Sequence, residues 1–152
     1  PVEPEKWGIT LYATDKGFDK STFKLTDDPG KGDELAKITR VRDNELITET
    51  FELDEDSDIR VYAIGEGMDN EMADYGYIKD VNNGRRVWNM FYDETEHAGG
   101  SRKNRMVDQV ISLKKGKYKV VYKTDGSHSF KDWNARAPRD AKNYGITVSR
   151  VN

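Results

Sequence analysis

The sequence contains no cysteine, only two histidines (His97 and His128) and four prolines in 152 residues. Without thiols there is no disulfide, no thiol catalysis, no zinc–thiolate site and no iron–sulfur cluster. The absence does not by itself choose a compartment. Apolar residues make up only 35% of the chain and charged residues another 35%, so the core must be economical. No apolar run approaches the roughly 18 residues that a membrane-spanning helix needs, and no signal peptide is visible. A chain opening at Pro1 rather than Met reads as a processed or excised segment whose leader has been removed. Phosphate-cradling patterns (G-x-x-x-x-G-K, or G-x-G-x-x-G after a strand), the zinc pattern H-E-x-x-H and the nucleophile elbow G-x-S-x-G are also absent.

What is present is aromatic and charged. Eight Tyr and three Trp argue against disorder, and the length fits one domain with a real core. Net charge is only −3, but residues 1–76 hold 20 acidic and 9 basic side chains (net −11), and residues 77–152 hold 8 and 16 (net +8). Either strands from the two halves interleave and the charges mix, or the domain is dipolar and associates weakly head to tail. Basic stretches at 102–105 and 114–119 belong to no recognisable nucleic-acid module, so no nucleic acid is expected as partner.

Short alternating or apolar runs between turn signals recur along the chain, which is the all-β signature. The candidate strands are Trp7–Tyr12, Leu35–Val41, Leu46–Leu53, Ile59–Ile64, Tyr75–Val81, Arg85–Tyr92, Val107–Leu113, Tyr118–Lys123 and Tyr144–Val151. Asn82-Asn83-Gly84 and Lys115-Gly116 supply hairpin turns. These features predict an antiparallel β-sandwich of jelly-roll type, with about nine strands. Residues 27–32 read as an exposed loop, which divides the chain into an N-terminal strand and linker (1–34) and a sandwich domain (35–152). PVEPEKWGITL (1–11) echoes PRDAKNYGITV (138–148), either as the tail of a preceding tandem repeat or as two similar edge strands.

Three segments carry most of the chemistry: residues 65–78, 94–105 and 124–134. Each mixes Gly with charged, amide and aromatic residues, and binding residues often sit on loops held by a rigid scaffold. Asp74, Tyr75, His97, Arg105, Asp125, His128, Trp133 and Asn134 are the candidate ligand contacts, suited to a polysaccharide, a peptide or an adjacent domain. Trp133, with polar neighbours on both sides, is expected to be at least partly exposed there. The alternative is a polar network that satisfies the loops' own backbone groups. Asp54, Asp56 and Asp58, at alternating positions in a turn, are the candidate calcium ligands, although the segment fails as an EF-hand because Ile59 stands where Gly is needed. Glu66, Asp69, Glu71 and Asp74 form a second acidic cluster. Ser127 and His128 cannot form a catalytic dyad as neighbours on a strand, since adjacent side chains point to opposite faces. No catalytic residue is assigned and no cofactor is expected apart from calcium. The competing readings are a hydrolase built on carboxylates and His128, and a purely structural spacer.

From Phe51 to Val151 the order of features resembles the bacterial pre-peptidase C-terminal domains. The counterparts are Phe51-Glu52-Leu53, the strand Ile59–Ile64, the hairpin Tyr77–Asn89 and Leu113–Tyr118. More closely, DYGYI (74–78), AGGSRKNR (98–105), TDGSHSFKDWN (124–134) and YGIT (144–147) look like a bacterial envelope-associated module of unassigned function. The resemblance implies a jelly-roll sandwich, an extracellular, periplasmic or cell-envelope location without membrane insertion, and a non-catalytic binding or assembly role beside secreted enzymes.

Overall fold

A computed structural model of the chain describes residues 33–151. The expected strand Trp7–Tyr12, the loop at 27–32 and the first copy of the echo lie outside these residues. Nine strands follow in order: β1 (Glu34–Thr39), β2 (Leu46–Leu53), β3 (Ser57–Met68), β4 (Glu71–Asp80), β5 (Arg86–Asn89), β6 (Glu96–His97), β7 (Asn104–Leu113), β8 (Gly116–Lys123) and β9 (Gly145–Arg150). All pair antiparallel. No helix among the described residues is long and apolar enough to cross a membrane.

One layer runs β1-β9-β3-β7, with β6 as a short edge, and the other runs β2-β8-β4-β5. This order, in which the last strands return between the first ones, is that of a jelly roll. The tip of the β3–β4 hairpin joins the layers, because Glu71–Asp74 pair with β3 while Tyr75–Asp80 pair with β8. Asp69 and Asn70 both adopt positive φ at that tip, as a tight hairpin turn requires.

Alternation explains the core. Ile59, Val61 and Ala63 of β3, Tyr118, Val120 and Tyr122 of β8, and Ile146 and Val148 of β9 turn inward and join one apolar cluster with Phe51, Leu53, Ile78 and Trp88. Glu49 sits on the same face of β2 as Phe51 and Leu53, yet stays exposed. There it accepts the Lys37 N–H at 2.7 Å, which ties β2 to β1 where the two layers come close to closing.

The first-half strands β1, β2 and β3 each pair with a second-half strand, so the acidic and basic halves interleave. The run expected as one strand over Arg85–Tyr92 pairs only as far as Asn89, and Tyr92–Glu94 turn as a short 3-10 helix.

Candidate functional site

The three segments singled out in the sequence meet at one end of the sandwich, around the β3–β4 hairpin. β4 alternates there: Asp74, Gly76 and Ile78 face inward, while Tyr75, Tyr77 and Lys79 face out. Asp74 is fully buried. Its Oδ2 accepts the Tyr144 hydroxyl at 2.5 Å and its Oδ1 accepts the Asp125 N–H at 2.8 Å. Burial pushes its pKa up to about 7, outweighing the two hydrogen bonds, which pull it down.

Asn104, at the start of β7, is equally buried and anchors the other two segments. Its Nδ2 donates to the carbonyls of Gly99 (2.9 Å) and Arg136 (2.8 Å), so its Oδ1 faces the His128 ring and accepts from Nε2 at 2.5 Å. His128 is fully buried and adopts φ of 59°, a left-handed conformation that His tolerates better than most residues. Its Nδ1 lies 3.0 Å from Asn134 Oδ1, which accepts from Lys103 Nζ at 2.7 Å. Burial, followed by the nearby Lys103 ammonium, lowers the His128 pKa overall. Together they outweigh the Asn134 contact, which raises it, because a neutral ring donating from Nε2 turns a lone pair toward that oxygen. Gly100, at φ of 70°, admits no side chain, because a Cβ would collide with the Ala137 carbonyl.

Trp133 is half-buried, as expected for a partly exposed ring. It is wedged edge-on between His128 and Tyr144, with ring centroids 5.1 and 5.0 Å away. The expected surface therefore closes into a polar network whose centre (Asp74, Asn104, His128, Tyr144) is too enclosed for a polymer or peptide to reach. Both His128 nitrogens are engaged inside it, which leaves no exposed base beside Ser127.

Three expected contacts lie elsewhere: Arg105, His97 and the outward-facing Tyr75. Arg105 follows Asn104 on β7 and so points to the opposite face, where it donates twice to Thr95 at 2.8 Å and stacks over the Tyr92 ring at 4.7 Å. His97, on β6, is exposed, with Nε2 3.0 Å from the Ser101 carbonyl. Alternation along β7 thus removes Arg105 from the site, whereas Ser127 and His128 lie in a bend after β8 and not on the strand expected for them, with His128 at positive φ.

Asp54, Asp56 and Asp58 do not converge. Asp54 pairs with Arg150 at 2.9 Å, Asp56 with Lys114 at 2.8 Å, and Asp58 accepts the Ser112 hydroxyl at 2.5 Å. Hydrogen bonds to these basic partners hold the Asp54 and Asp56 carboxyls below the usual range. Of the second cluster, Asp69 and Glu71 lie exposed at the hairpin tip, whereas Glu66 joins Asp74 and Asp125. Among the described residues, these three offer the convergent carboxylate oxygens, all within 4.8 Å of one another.

A second surface runs along the outside of the β2-β8-β4-β5 layer. Tyr75 and Tyr77 lie side by side, with centroids 6.5 Å apart and planes tilted by 34°. Arg86 of β5 covers Tyr77 at 3.6 Å. With Asn44, Glu45, Leu46, Lys123 and Thr124, these residues line a groove of about 470 Å³. The strand register continues the face as Lys119 beside Lys79 and Lys117 beside Glu52. Sequence reading found Tyr75 but missed Tyr77 and Arg86, although Tyr77 at i+2 from Tyr75 was the available signal. No family model matches the chain, and no curated protein matches it in sequence.

Proposed function

We propose that this chain is a non-catalytic binding module of a secreted or cell-surface bacterial protein. Its ligand is an extended acidic polysaccharide that lies across the outer face of the β2-β8-β4-β5 layer. The observation that carries this reading is the pair Tyr75 and Tyr77, presented on one rigid strand, with Arg86 stacked on Tyr77 and Lys79, Lys119 and Lys123 on the same face. Flat aromatic rings cover the apolar faces of sugar rings, and ammonium and guanidinium groups suit carboxylate or sulfate substituents. The enclosure of His128 supports a non-catalytic role. The resemblance to envelope modules supports the location.

The test is titration of the protein with polygalacturonate and with neutral dextran. Polygalacturonate should bind, and binding should weaken as salt rises, because exposed charges are screened over about 8 Å at physiological ionic strength. Replacing Tyr75 and Tyr77 by Ala should weaken binding about tenfold or more. Tyr75 also packs against the core, so Tyr77→Ala alone is the variant whose melting temperature should stay close to wild type. Equal binding of dextran would remove the acidic specificity, and retention of an acidic peptide but no polysaccharide would move the ligand to protein.

A second reading, a structural spacer that contacts neighbouring domains, is favoured by the closed network at the three-segment end. It predicts that neither polymer nor peptide binds.

A further inference from the structure

We propose that Glu66, Asp74 and Asp125 form a divalent-cation site of the calcium class at the end of the sandwich, where the β3–β4 hairpin meets the loop after β8. One carboxylate oxygen from each lies within 4.8 Å of the others. Oxygens converging within that bound can share one hard cation, and an all-carboxylate set on a hairpin and a loop suits the flexible, oxygen-only coordination of calcium better than the near-ideal octahedron that magnesium demands. Glu66 is only 7% exposed, and its Oε2 is buried with no hydrogen-bond partner. A buried carboxylate oxygen without a donor is costly, and a cation at this position would satisfy it.

Charge points the same way. Lys103 Nζ, 2.6 Å from Glu66 Oε1, supplies one positive charge against three carboxylates. Asp43 adds a further carboxylate, whose Oδ1 is also buried without a partner, and its charge acts on both Glu66 and His128. The Tyr144 hydroxyl and the Asp125 N–H each use one acceptor position on Asp74, and the Ser127 N–H, at 3.1 Å, uses one on Asp125. Carboxylate oxygens accept more than one partner, so donor capacity remains toward the centre of the cluster. The site differs from Asp54, Asp56 and Asp58, each of which is already matched by its own partner.

A cation here would fasten the 124–134 loop to the hairpin. Those same segments carry the residues beside the aromatic groove: Asp74 precedes Tyr75, Thr124 precedes Asp125, and Asp43 precedes Asn44. The inference does not depend on polymer binding, because the probe is the metal alone.

Chelator-treated protein is titrated with calcium chloride by calorimetry, and its melting temperature is followed in parallel. Calcium should bind with a Kd at or below about 10⁻³ M, the range of extracellular modules, and should raise the melting temperature. Asp125 is exposed, so Asp125→Asn should fold normally and bind calcium at least about tenfold more weakly, as should Glu66→Gln. Asp56→Asn should bind as wild type does. Absence of both heat and thermal shift at about 10 mM calcium, tenfold above the weakest such sites, would overturn the proposal. So would undiminished binding by Asp125→Asn, and equal affinity for magnesium would overturn the assignment to calcium.

Discussion

Two acidic clusters in this chain have opposite fates. Asp54, Asp56 and Asp58 sit within five residues of one another on the way into β3, yet their side chains diverge to Arg150, Lys114 and Ser112. Glu66, Asp74 and Asp125 are spread over sixty residues of sequence, yet their oxygens converge. Proximity in sequence therefore says little about a ligand cage. In an extended turn, surface carboxylates reach whichever cation lies nearest, and water screens those that do not. Convergence requires strands that fix where each carboxylate points, and here a hairpin tip and one loop do so.

The largest effect should follow from breaking the network beside the convergent cluster. Asn104→Ala removes a donor to two carbonyls and an acceptor for His128, leaving buried partners unsatisfied. A loss of about 3–5 kcal/mol in urea unfolding is expected. A loss below about 1 kcal/mol would show that the segments hold together without it.

A smaller, pH-dependent effect should come from His128. Because burial depresses its folded-state pKa below the ordinary 6.5, its contribution to stability is present above that value and is lost as pH falls through the folded-state pKa. Between the two values stability should fall by up to about 1.4 kcal/mol per pH unit, and the His128→Gln variant should lack this component. A pH profile identical in wild type and variant would show that His128 is not held neutral.

The smallest effect belongs to the divergent cluster. Asp56→Ala removes an exposed pair with Lys114 and an exposed hydrogen bond from the Lys115 N–H, and should lower the melting temperature only slightly. A large drop would erase the contrast between the two clusters.

Local pattern reaches a long way in this protein. Leu46–Leu53 is a strand with the bounds its sequence suggests, because its flanking turns and its Phe51/Leu53 face are local features. The Asn82-Asn83-Gly84 turn is likewise present, with Gly84 at φ of 70° and its N–H donating to the Asp80 carbonyl. The two-residue β6 left no signal, since so short an edge is set by its partner β7 and by no periodicity of its own. The expected strand Arg85–Tyr92 is too long because the apolar run continues into Phe91, past Met90, whose N–H makes a last backbone hydrogen bond to β4 at the Gly76 carbonyl.

The sequence by itself determined the all-β class, the main hairpins and the three segments rich in chemistry, because alternation and turn geometry are properties of a few neighbouring residues. It could not determine which side chains of those segments would meet. Asn104 rather than Arg105 enters the network, Asp74 turns inward while Tyr75 and Tyr77 form an outer platform, and Glu66 joins Asp125 across the end of the sandwich. Those outcomes depend on the register between strands. A shift of one residue would exchange every inward side chain for its outward neighbour, and only the packing of both layers fixes that register.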